Sequence, residues 1–385
     1  MKPTQDFLLG GIASVVLMAL TLGSARAQNA VVTDSIVEEA IRDEIGKSSG
    51  DLTLKDLGKV TFLDLKAKGM TQVTIPEGLV NCEGMDLEDN ALAGSLFAPL
   101  KFPDDMLALT DLNASKNKLA SLGFLTKFPN LRFLDLSNND FGTLTFPEGL
   151  ANLEELDLSR NSLTTLTIPS GMTSLQRLDL SRNRLAASVF APLRLPSDLS
   201  NLTFLDMSFN ELGGFKVPNG LTSLVQLILF NNKLSTLDLP EDIVALEKLD
   251  VYGNKLKNIT LPLGAKSLQV IDLGDNPDLK TVTVPEGISE NVIDVVLQYE
   301  VELVTEKPPL PGLAGVMLND KGDFEASFEG SDRYVLYRSE DLLEWVELDT
   351  ITGDGSTTFK DSGALKNLGA AYYRIGYAEP LPVEE

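Results

Sequence analysis

The stretch LEELDLSRNSL at residues 153–163 recurs as LQRLDLSRNRL at residues 175–185, and both copies follow the pattern L-x-x-L-x-L-x-x-N-x-L. Apolar residues alternate with other residues in x-L-x-L-x, which is the period of a short strand with one buried face. The asparagine carries an amide that can bond backbone groups left unpaired by a turn. Each copy therefore predicts one strand followed by one turn.

The closing asparagine recurs in register at positions 90, 117, 139, 161, 183, 210, 232, 254 and 276. The intervals are 27, 22, 22, 22, 27, 22, 22 and 22 residues, so a block of 93 residues occurs twice. A degenerate unit precedes the first asparagine, and another follows the last, with Val292, Val295 and Leu297 in the leucine places. We therefore predict about eleven units in a solenoid over residues 60–305, with a 93-residue internal duplication. The five extra residues of each long unit should bulge from its outer or lateral side.

Segments of the form I-P-x-G-L follow several strands, at 75–79, 146–150, 168–172 and 284–288. Proline lacks an N–H and glycine tolerates unusual dihedral angles, so these return legs should be extended or tightly turned, without a long helix. With these features the chain resembles the leucine-rich-repeat family with 22-residue units. The resemblance implies parallel strands that line the concave side of a curved solenoid.

Residues 28–59 predict a helical cap that covers the first repeat, since a solenoid exposes its core at both ends. Ser35 and Glu38 form a capping-box pattern before a helix that should stop at Gly46, and Thr53 and Asp56 form a second one. The run resembles the N-terminal cap of internalin-like bacterial leucine-rich-repeat proteins. That resemblance implies a surface or secreted protein that binds host or cell-surface proteins.

The C-terminal residues differ in pattern from the repeats. Residues 306–312 form a proline-rich linker, and residues 313–385 show about six short alternating stretches that predict a small β-sandwich. This module resembles a C-terminal β module found on many exported bacterial proteins. Trp345 is expected to anchor its core, with stacking on a sugar as the alternative. The predicted fold is thus an α/β-type leucine-rich-repeat solenoid, mostly β and coil with a short helical cap, followed by a small all-β sandwich.

Residues 1–27 have the pattern of a signal peptide: Lys2, an apolar stretch over residues 7–22, and an A-x-A end at Ala25 and Ala27. The apolar stretch is shorter than the ~20 residues of a membrane-spanning helix. Secretion to the extracellular space or the cell surface is therefore expected. An uncleaved signal is the alternative, and it would be the chain's one contact with a membrane.

Composition argues against several function classes. The net charge is −24, which would repel phosphate backbones and makes nucleic acid a poor partner. The chain has no histidine, so histidine-based catalytic triads and metal centres are excluded, and phosphate-loop and nucleophile-elbow motifs are missing as well. We predict no enzyme and no cofactor. Cys82, the one cysteine, falls on a core position of a repeat.

The fifth place of each unit points away from the core and is aspartate in eight of eleven units. Asp135, Asp157, Asp179 and Asp206 occupy four successive places of this column. The column predicts a stripe that attracts a basic partner or weakly holds Ca²⁺, because closely spaced carboxylates repel one another. The alternative is that these aspartates are part of the repeat's own architecture, with no metal bound.

The aspartate column is interrupted at Ile228 in unit eight, and other outward places become apolar or aromatic around it in units seven to nine. Phe204, Phe209, Ile228, Phe230 and Tyr252 introduce apolar or aromatic side chains there, and such side chains are typical of binding hot spots. We take these five residues as the candidate ligand-binding site. The alternative is that Phe209 and Phe230 pack against neighbouring coils.

These observations predict an exported protein that mediates protein–protein binding or adhesion through its concave face, with a protein partner whose identity the pattern does not reveal. Two alternatives remain at this point. The C-terminal β module could bind carbohydrate or the cell envelope, with a glycan as partner, or the chain could associate with itself as a structural protein of the cell surface.

Overall fold

The computed structural model describes residues 28–93, 100–186, 193, 195–299 and 301–306, together with six strands beyond residue 313. The chain divides into two compact units, Met1–Val304 and Thr305–Glu385. The predicted signal peptide at residues 1–27 lies outside the described residues, and so do the predicted bulges at residues 94–99 and 187–192. None of the described helices is long and apolar enough to cross a membrane.

The first unit begins with helix α1 (Ser35–Ile45). Its N-cap is Asp34, whose carboxylate accepts hydrogen bonds from two backbone N–H groups of the first turn, so the prediction of Ser35 as the cap was wrong by one residue. A carboxylate both accepts these bonds and interacts favourably with the positive end of the helix dipole. The helix ends at Gly46 with φ of 65°, as predicted.

Helix α2 (Leu54–Leu57) starts at the predicted capping box, in which Thr53 and Asp56 bond each other's backbone N–H. The Asp56 carboxylate also receives Lys47 and Lys59, each at 2.8 Å. These two ammonium groups, with the Thr53 hydroxyl, hold the pKa of Asp56 well below its usual range. The carboxylate is therefore charged throughout the physiological pH range and ties both lysines to the cap.

Seventeen short strands follow within the described part of the first unit. They are β1 (Phe62–Asp64), β2 (Gly84–Asp86), β3 (Asp111–Asn113), β4 (Phe133–Asp135), β5 (Thr143–Thr145), β6 (Glu155–Asp157), β7 (Thr165–Thr167), β8 (Arg177–Asp179), β9 (Phe204–Asp206), β10 (Gly214–Lys216), β11 (Gln226–Ile228), β12 (Thr236–Asp238), β13 (Lys248–Asp250), β14 (Asn258–Thr260), β15 (Val270–Asp272), β16 (Thr281–Pro285) and β17 (Glu302–Glu306).

Ten of these strands form one parallel sheet in the order β1-β2-β3-β4-β6-β8-β9-β11-β13-β15, which we call the ten-stranded sheet. All of its pairs are in register, so that Leu156, for example, lies beside Leu134 and Leu178. The middle residue of each strand is buried, as the alternating pattern predicts. Cys82 is also buried, and burial raises the pKa of its thiol to about 12.

The repeat asparagines stitch neighbouring coils together. The Asn161 side-chain nitrogen donates to the carbonyl oxygens of Leu136 and Leu158 at 3.0 Å and of Ser159 at 3.2 Å. Its oxygen accepts from the N–H of Phe141 in the preceding coil, at 3.3 Å. Equivalent bonds to the preceding coil are made by Asn117, Asn139, Asn183, Asn210, Asn232, Asn254 and Asn276. The predicted role of the asparagine is confirmed.

The return legs are extended, as predicted, and the described ones contain only a 3-10 turn, Leu125–Lys127. Short parallel pairs form on this side, β5 with β7, β10 with β12, and β14 with β16. Two of the four predicted proline–glycine turns, those at Gly78 and Gly171, are held by a carboxylate of the next coil. Gly171, at φ of 98°, donates its N–H to the Asp198 carboxylate at 2.7 Å.

The predicted eleventh unit is wrong, because its residues form helix α3 (Glu290–Leu297) and not a strand. Val292 and Val296 lie four residues apart and are both buried, which is the spacing of one helix face. Position 300 holds glutamate where nine of the units have asparagine, so the amide that closes their turns is missing. The helix packs against β15, the last strand of the ten-stranded sheet.

The described residues of the second unit form two antiparallel sheets, of order β18-β19-β22 and β21-β20-β23. The strands are β18 (Ala314–Leu318), β19 (Phe324–Gly330), β20 (Arg333–Ser339), β21 (Val346–Thr352), β22 (Gly355–Asp361) and β23 (Tyr372–Tyr377). Val335 and Leu336, in the middle of β20, are buried. Trp345 and residues 307–312 of the predicted linker lie outside the described residues.

Candidate functional site

The ten-stranded sheet arranges its outward side chains in columns. Because the strands are in register, the third, fifth and seventh residues of one unit lie beside the same residues of the next, roughly 4.8 Å away. The third-place column includes Phe133, Arg177 and Phe204. Residues that lie side by side on this face are therefore 22 or 27 residues apart in the sequence.

The aspartates of the fifth-place column are bonded within their own turns. Asp206 accepts a hydrogen bond from the backbone N–H of Ser208 at 2.8 Å, and Asn113 accepts the equivalent bond from Ser115 at 3.1 Å. The other members with this bond are Asp64, Asp86, Asp135, Asp157, Asp179, Asp250 and Asp272. Each side chain therefore stabilises the turn that follows its strand, which agrees with the architectural alternative.

Burial makes this column electrostatically unfavourable. It raises the pKa of Asp157, Asp206 and Asp250 above the ordinary carboxyl value, and neighbouring carboxylates of the column add to the effect. Hydrogen bonds from the turn act in the opposite direction. In the described part of the chain, no group of three or more acidic or cysteine side chains is arranged to hold a metal ion.

The predicted site residues come together where β9, β11 and β13 lie side by side. Phe204, Phe209 and Phe230 are half-buried, and Tyr252 is 42% exposed. Ile228 is 6% exposed, so the expectation of an outward apolar contact was wrong for this residue. It stands in the column between Asp206 and Asp250.

Two of the five predicted site residues, Phe230 and Tyr252, occupy the seventh place of their units. Both stand where units three to seven have a serine, such as the buried Ser208. The next unit has Gly274 at this place, and a Cβ there would lie 2.8 Å from Cδ2 of Tyr252. The glycine therefore leaves room for the tyrosine ring.

The aromatic rings of Phe209 and Phe230 contact each other across neighbouring coils, edge to face, with centroids 5.0 Å apart. Part of their surface is thus used in packing, as the alternative reading predicted. Phe209 has φ of 51°. The equivalent residues of other units, such as Arg160 and Asn231, have φ of 55° and 53°, so this conformation belongs to the turn of the repeat.

Two arginines that the sequence analysis did not select belong to this surface. Cζ of Arg177 lies 3.7 Å from the ring centroid of Phe204, and Cζ of Arg182 lies 4.1 Å from that of Phe209. Each arginine precedes its phenylalanine by 27 residues, the length of the long unit. That shared interval was the signal that could have revealed both pairs. We call Arg177, Arg182 and the five predicted residues the aromatic patch.

A separate groove of about 460 Å³ lies on the return legs, away from the aromatic patch. Its lining includes Lys216, Asp238, Glu241, Asn258 and Thr260. The predicted site residues do not line it. The patch is a surface on the sheet and not a deep pocket of the kind that encloses small ligands.

Comparison with known proteins agrees with this architecture. Residues 108–147, 145–185 and 198–214 match leucine-rich-repeat profiles, the first of which describes two copies of the repeat. No curated protein matches the chain by sequence. The repeats and the mostly β solenoid with few helices, both predicted, are confirmed.

Solved structures of the same architecture are similar to this chain at low identity. One is an internalin from Listeria monocytogenes, with 17% identity over 72% of this chain and 91% of that chain, and a TM-score of 0.43. Another is YopM, a leucine-rich effector protein from Yersinia pestis, with 23% identity over 65% of this chain and 64% of that chain, and a TM-score of 0.46.

Proposed function

We propose that this leucine-rich-repeat protein binds another protein through the outward face of its ten-stranded sheet, with the aromatic patch as the anchor. The observation that carries the proposal is the interruption of the aspartate column. Eight of the ten residues in that column are aspartate, and the change to Ile228 coincides with Phe204 and Phe230 on the flanking places. Aromatic side chains grouped on an otherwise charged face are typical of binding hot spots.

The shape of the surface also favours a macromolecule. Ten in-register strands present a continuous face on which successive units contribute equivalent positions. A protein partner can contact many units at once, and the patch would supply the buried centre of such an interface. Asp135 and Asp157 lie in the units before the patch, and Asp179 and Asp206 lie in units that also carry patch residues. These carboxylates would attract basic side chains of the partner.

This binding would take place outside a bacterial cell, by a protein that is secreted or held at the cell surface. It rests for this on the signal-peptide pattern of residues 1–27 and on the resemblance of the helical cap to internalins. Adhesion is the form of binding that such a location favours.

The test is capture of partners from a cell-surface extract by the full chain, with and without Ca²⁺, followed by identification of the captured protein. A variant with Phe204→Ala, Phe230→Ala and Tyr252→Ala should lose that protein. Phe133→Ala is the matched control, since Phe133 is also half-buried at a third place and also lies beside an arginine, Arg132. The control should retain the partner.

Three other results would contradict the proposal. Equal capture by the triple variant would exclude the patch. Binding of the chain to a glycan array, unaffected by the triple variant, would favour the C-terminal module as the site. A light-scattering mass that rises with concentration, with no other protein captured, would favour self-association.

A further inference from the structure

The two stacked arginines of the aromatic patch have unusual surroundings for a chain of net charge −24. The guanidinium groups of Arg177 and Arg182 lie over the rings of Phe204 and Phe209, so their flat faces are occupied. Stacking of this kind leaves the N–H groups at the edge of the guanidinium plane available for hydrogen bonds. It also holds the plane in place before a ligand arrives.

A third arginine of the chain is stacked on a phenylalanine and also binds a carboxylate. Arg132 lies over the ring of Phe133, with Cζ 5.0 Å from the centroid. Its Nε and Nη2 atoms donate to the two carboxylate oxygens of Glu154, at 2.8 and 2.9 Å. An arginine stacked on phenylalanine in this sheet therefore binds a carboxylate through two parallel hydrogen bonds.

Neither Arg177 nor Arg182 makes such a pair of hydrogen bonds to a carboxylate of the described residues. The nearest carboxylate oxygen to Arg177 belongs to Asp179, at 3.7 Å, which is beyond hydrogen-bond distance. Arg182 is exposed, and within the described residues the ion pairs of the solenoid do not include it. The guanidinium groups of Arg177 and Arg182 thus lie on the same surface as the half-buried ring of Phe230, which contacts Phe209.

We infer that Arg177 and Arg182 recognise the carboxylate of an aspartate or glutamate in the partner protein, next to an apolar side chain that covers Phe230. This inference deepens the proposed function and rests on it. The recognised segment carries few acidic residues in total, because the net charge of the chain repels polyanions. The class of partner is a protein segment in which an isolated acidic residue adjoins an apolar or aromatic one.

The test uses a phage-displayed library of random peptides as the probe, selected on the immobilised full chain. Peptides with a single acidic residue beside an apolar one should be enriched. Selection on an Arg177→Gln/Arg182→Gln variant should keep the apolar preference and lose the acidic residue. Arg132→Gln is the control, because the N–H groups of Arg132 already bond the Glu154 carboxylate. Selection on this variant should show the same preference for an acidic residue.

The enriched peptide then gives a quantitative test. Replacing its acidic residue by the amide should weaken binding to the wild-type chain about tenfold or more, because a charge-assisted bidentate contact is lost. On the Arg177→Gln/Arg182→Gln variant the same replacement should change the affinity by less than about twofold, since a pairwise interaction vanishes when either partner is removed.

The outcomes separate the inference from the proposed function. Enrichment of apolar peptides without acidic residues would overturn the inference and leave the patch as a binding site. Enrichment of basic peptides, or displacement of the selected peptide by heparin at physiological salt, would also overturn it. Peptides that bind equally well to the Phe204→Ala/Phe230→Ala/Tyr252→Ala variant would contradict the proposed function as well.

Discussion

Asp206 accepts a hydrogen bond from the backbone N–H of Ser208 at 2.8 Å. Asn113, at the same place of another unit, accepts the equivalent bond from the N–H of Ser115. The turn thus needs an acceptor and not a charge. We predict that Asp206→Asn leaves stability unchanged or raises it at neutral pH, because the bond is kept and repulsion within the column falls. Asp206→Ala should lower the free energy of unfolding by ~1 kcal/mol. Chemical denaturation of both variants checks this, and equal losses would contradict it.

The aspartate column also predicts a pH dependence. Burial raises the pKa of Asp157 and Asp206 in the folded chain, which therefore holds protons over a range in which the unfolded chain has released them. The stability that these groups contribute accordingly falls as the pH rises from about 4 through the raised pKa values, and is constant above them.

An Asp157→Asn/Asp206→Asn variant should isolate this effect from every other titrating group. Its stability relative to wild type should be lowest near about pH 4 and should increase towards neutral pH, where the wild-type carboxylates are charged. Urea unfolding of both proteins across this range measures the difference. A difference that is the same at each pH would contradict the raised pKa values of these two carboxyl groups.

Glu88 should have the opposite pH dependence. Its carboxylate pairs with Lys116 at 2.6 Å and with Lys66, and these two lysines lower its pKa to about 2. The stability it contributes is therefore present above the ordinary pKa of glutamate and is lost as the pH falls towards about 2.

We expect Glu88→Gln to lower the melting temperature at neutral pH, and to lower it less as the pH falls. Glu211→Gln is the control, because Glu211 forms one exposed pair, with Lys233, and such pairs contribute little. A loss for Glu88→Gln that persists undiminished at the acid end would mean that shape, and not charge, explains its effect.

The asparagine ladder predicts the largest loss of stability. Asn161→Ala removes the side chain that bonds three carbonyl oxygens and one N–H, all within the core. Leaving these buried groups without a partner should lower the free energy of unfolding by roughly 2–4 kcal/mol. Asn152→Ala, which removes an exposed side chain with two long bonds, of 3.3 Å to Pro129 and 3.4 Å to Asn130, should cost less than about 0.5 kcal/mol. Similar losses in a denaturant titration would argue against the ladder.

The sequence was sufficient to predict the strands of the ten-stranded sheet and the turns that follow them, because the leucine and asparagine places recur at fixed intervals. The short strands of the return legs, such as β5 and β7, were predicted only as extended segments. The sequence was not sufficient at the C-terminal end of the solenoid. Val292, Val295 and Val296 are apolar at spacings that suit either a strand or a helix. The missing asparagine does not decide between the two, since the first unit has Lys68 in that place and still forms β1.

The candidate site could be predicted in part. Its position follows from the aspartate column, since a change at one place of a regular column is visible without a structure. The burial of Ile228 and the stacking of Arg177 on Phe204 depend on side-chain sizes in neighbouring units. Contacting residues of adjacent units are separated by 22 or 27 residues in the sequence, so the pattern of a single unit does not reveal these contacts.

The most direct test of the account is photo-crosslinking from the surface itself. A benzoylphenylalanine placed at Tyr252, in the aromatic patch, is compared with one at Thr145, an exposed residue of β5 on a return leg. After irradiation of the full chain with a cell-surface extract, we predict a discrete protein adduct from position 252 and none from position 145. An adduct from position 145 alone, or equal adducts from both, would contradict binding through the ten-stranded sheet.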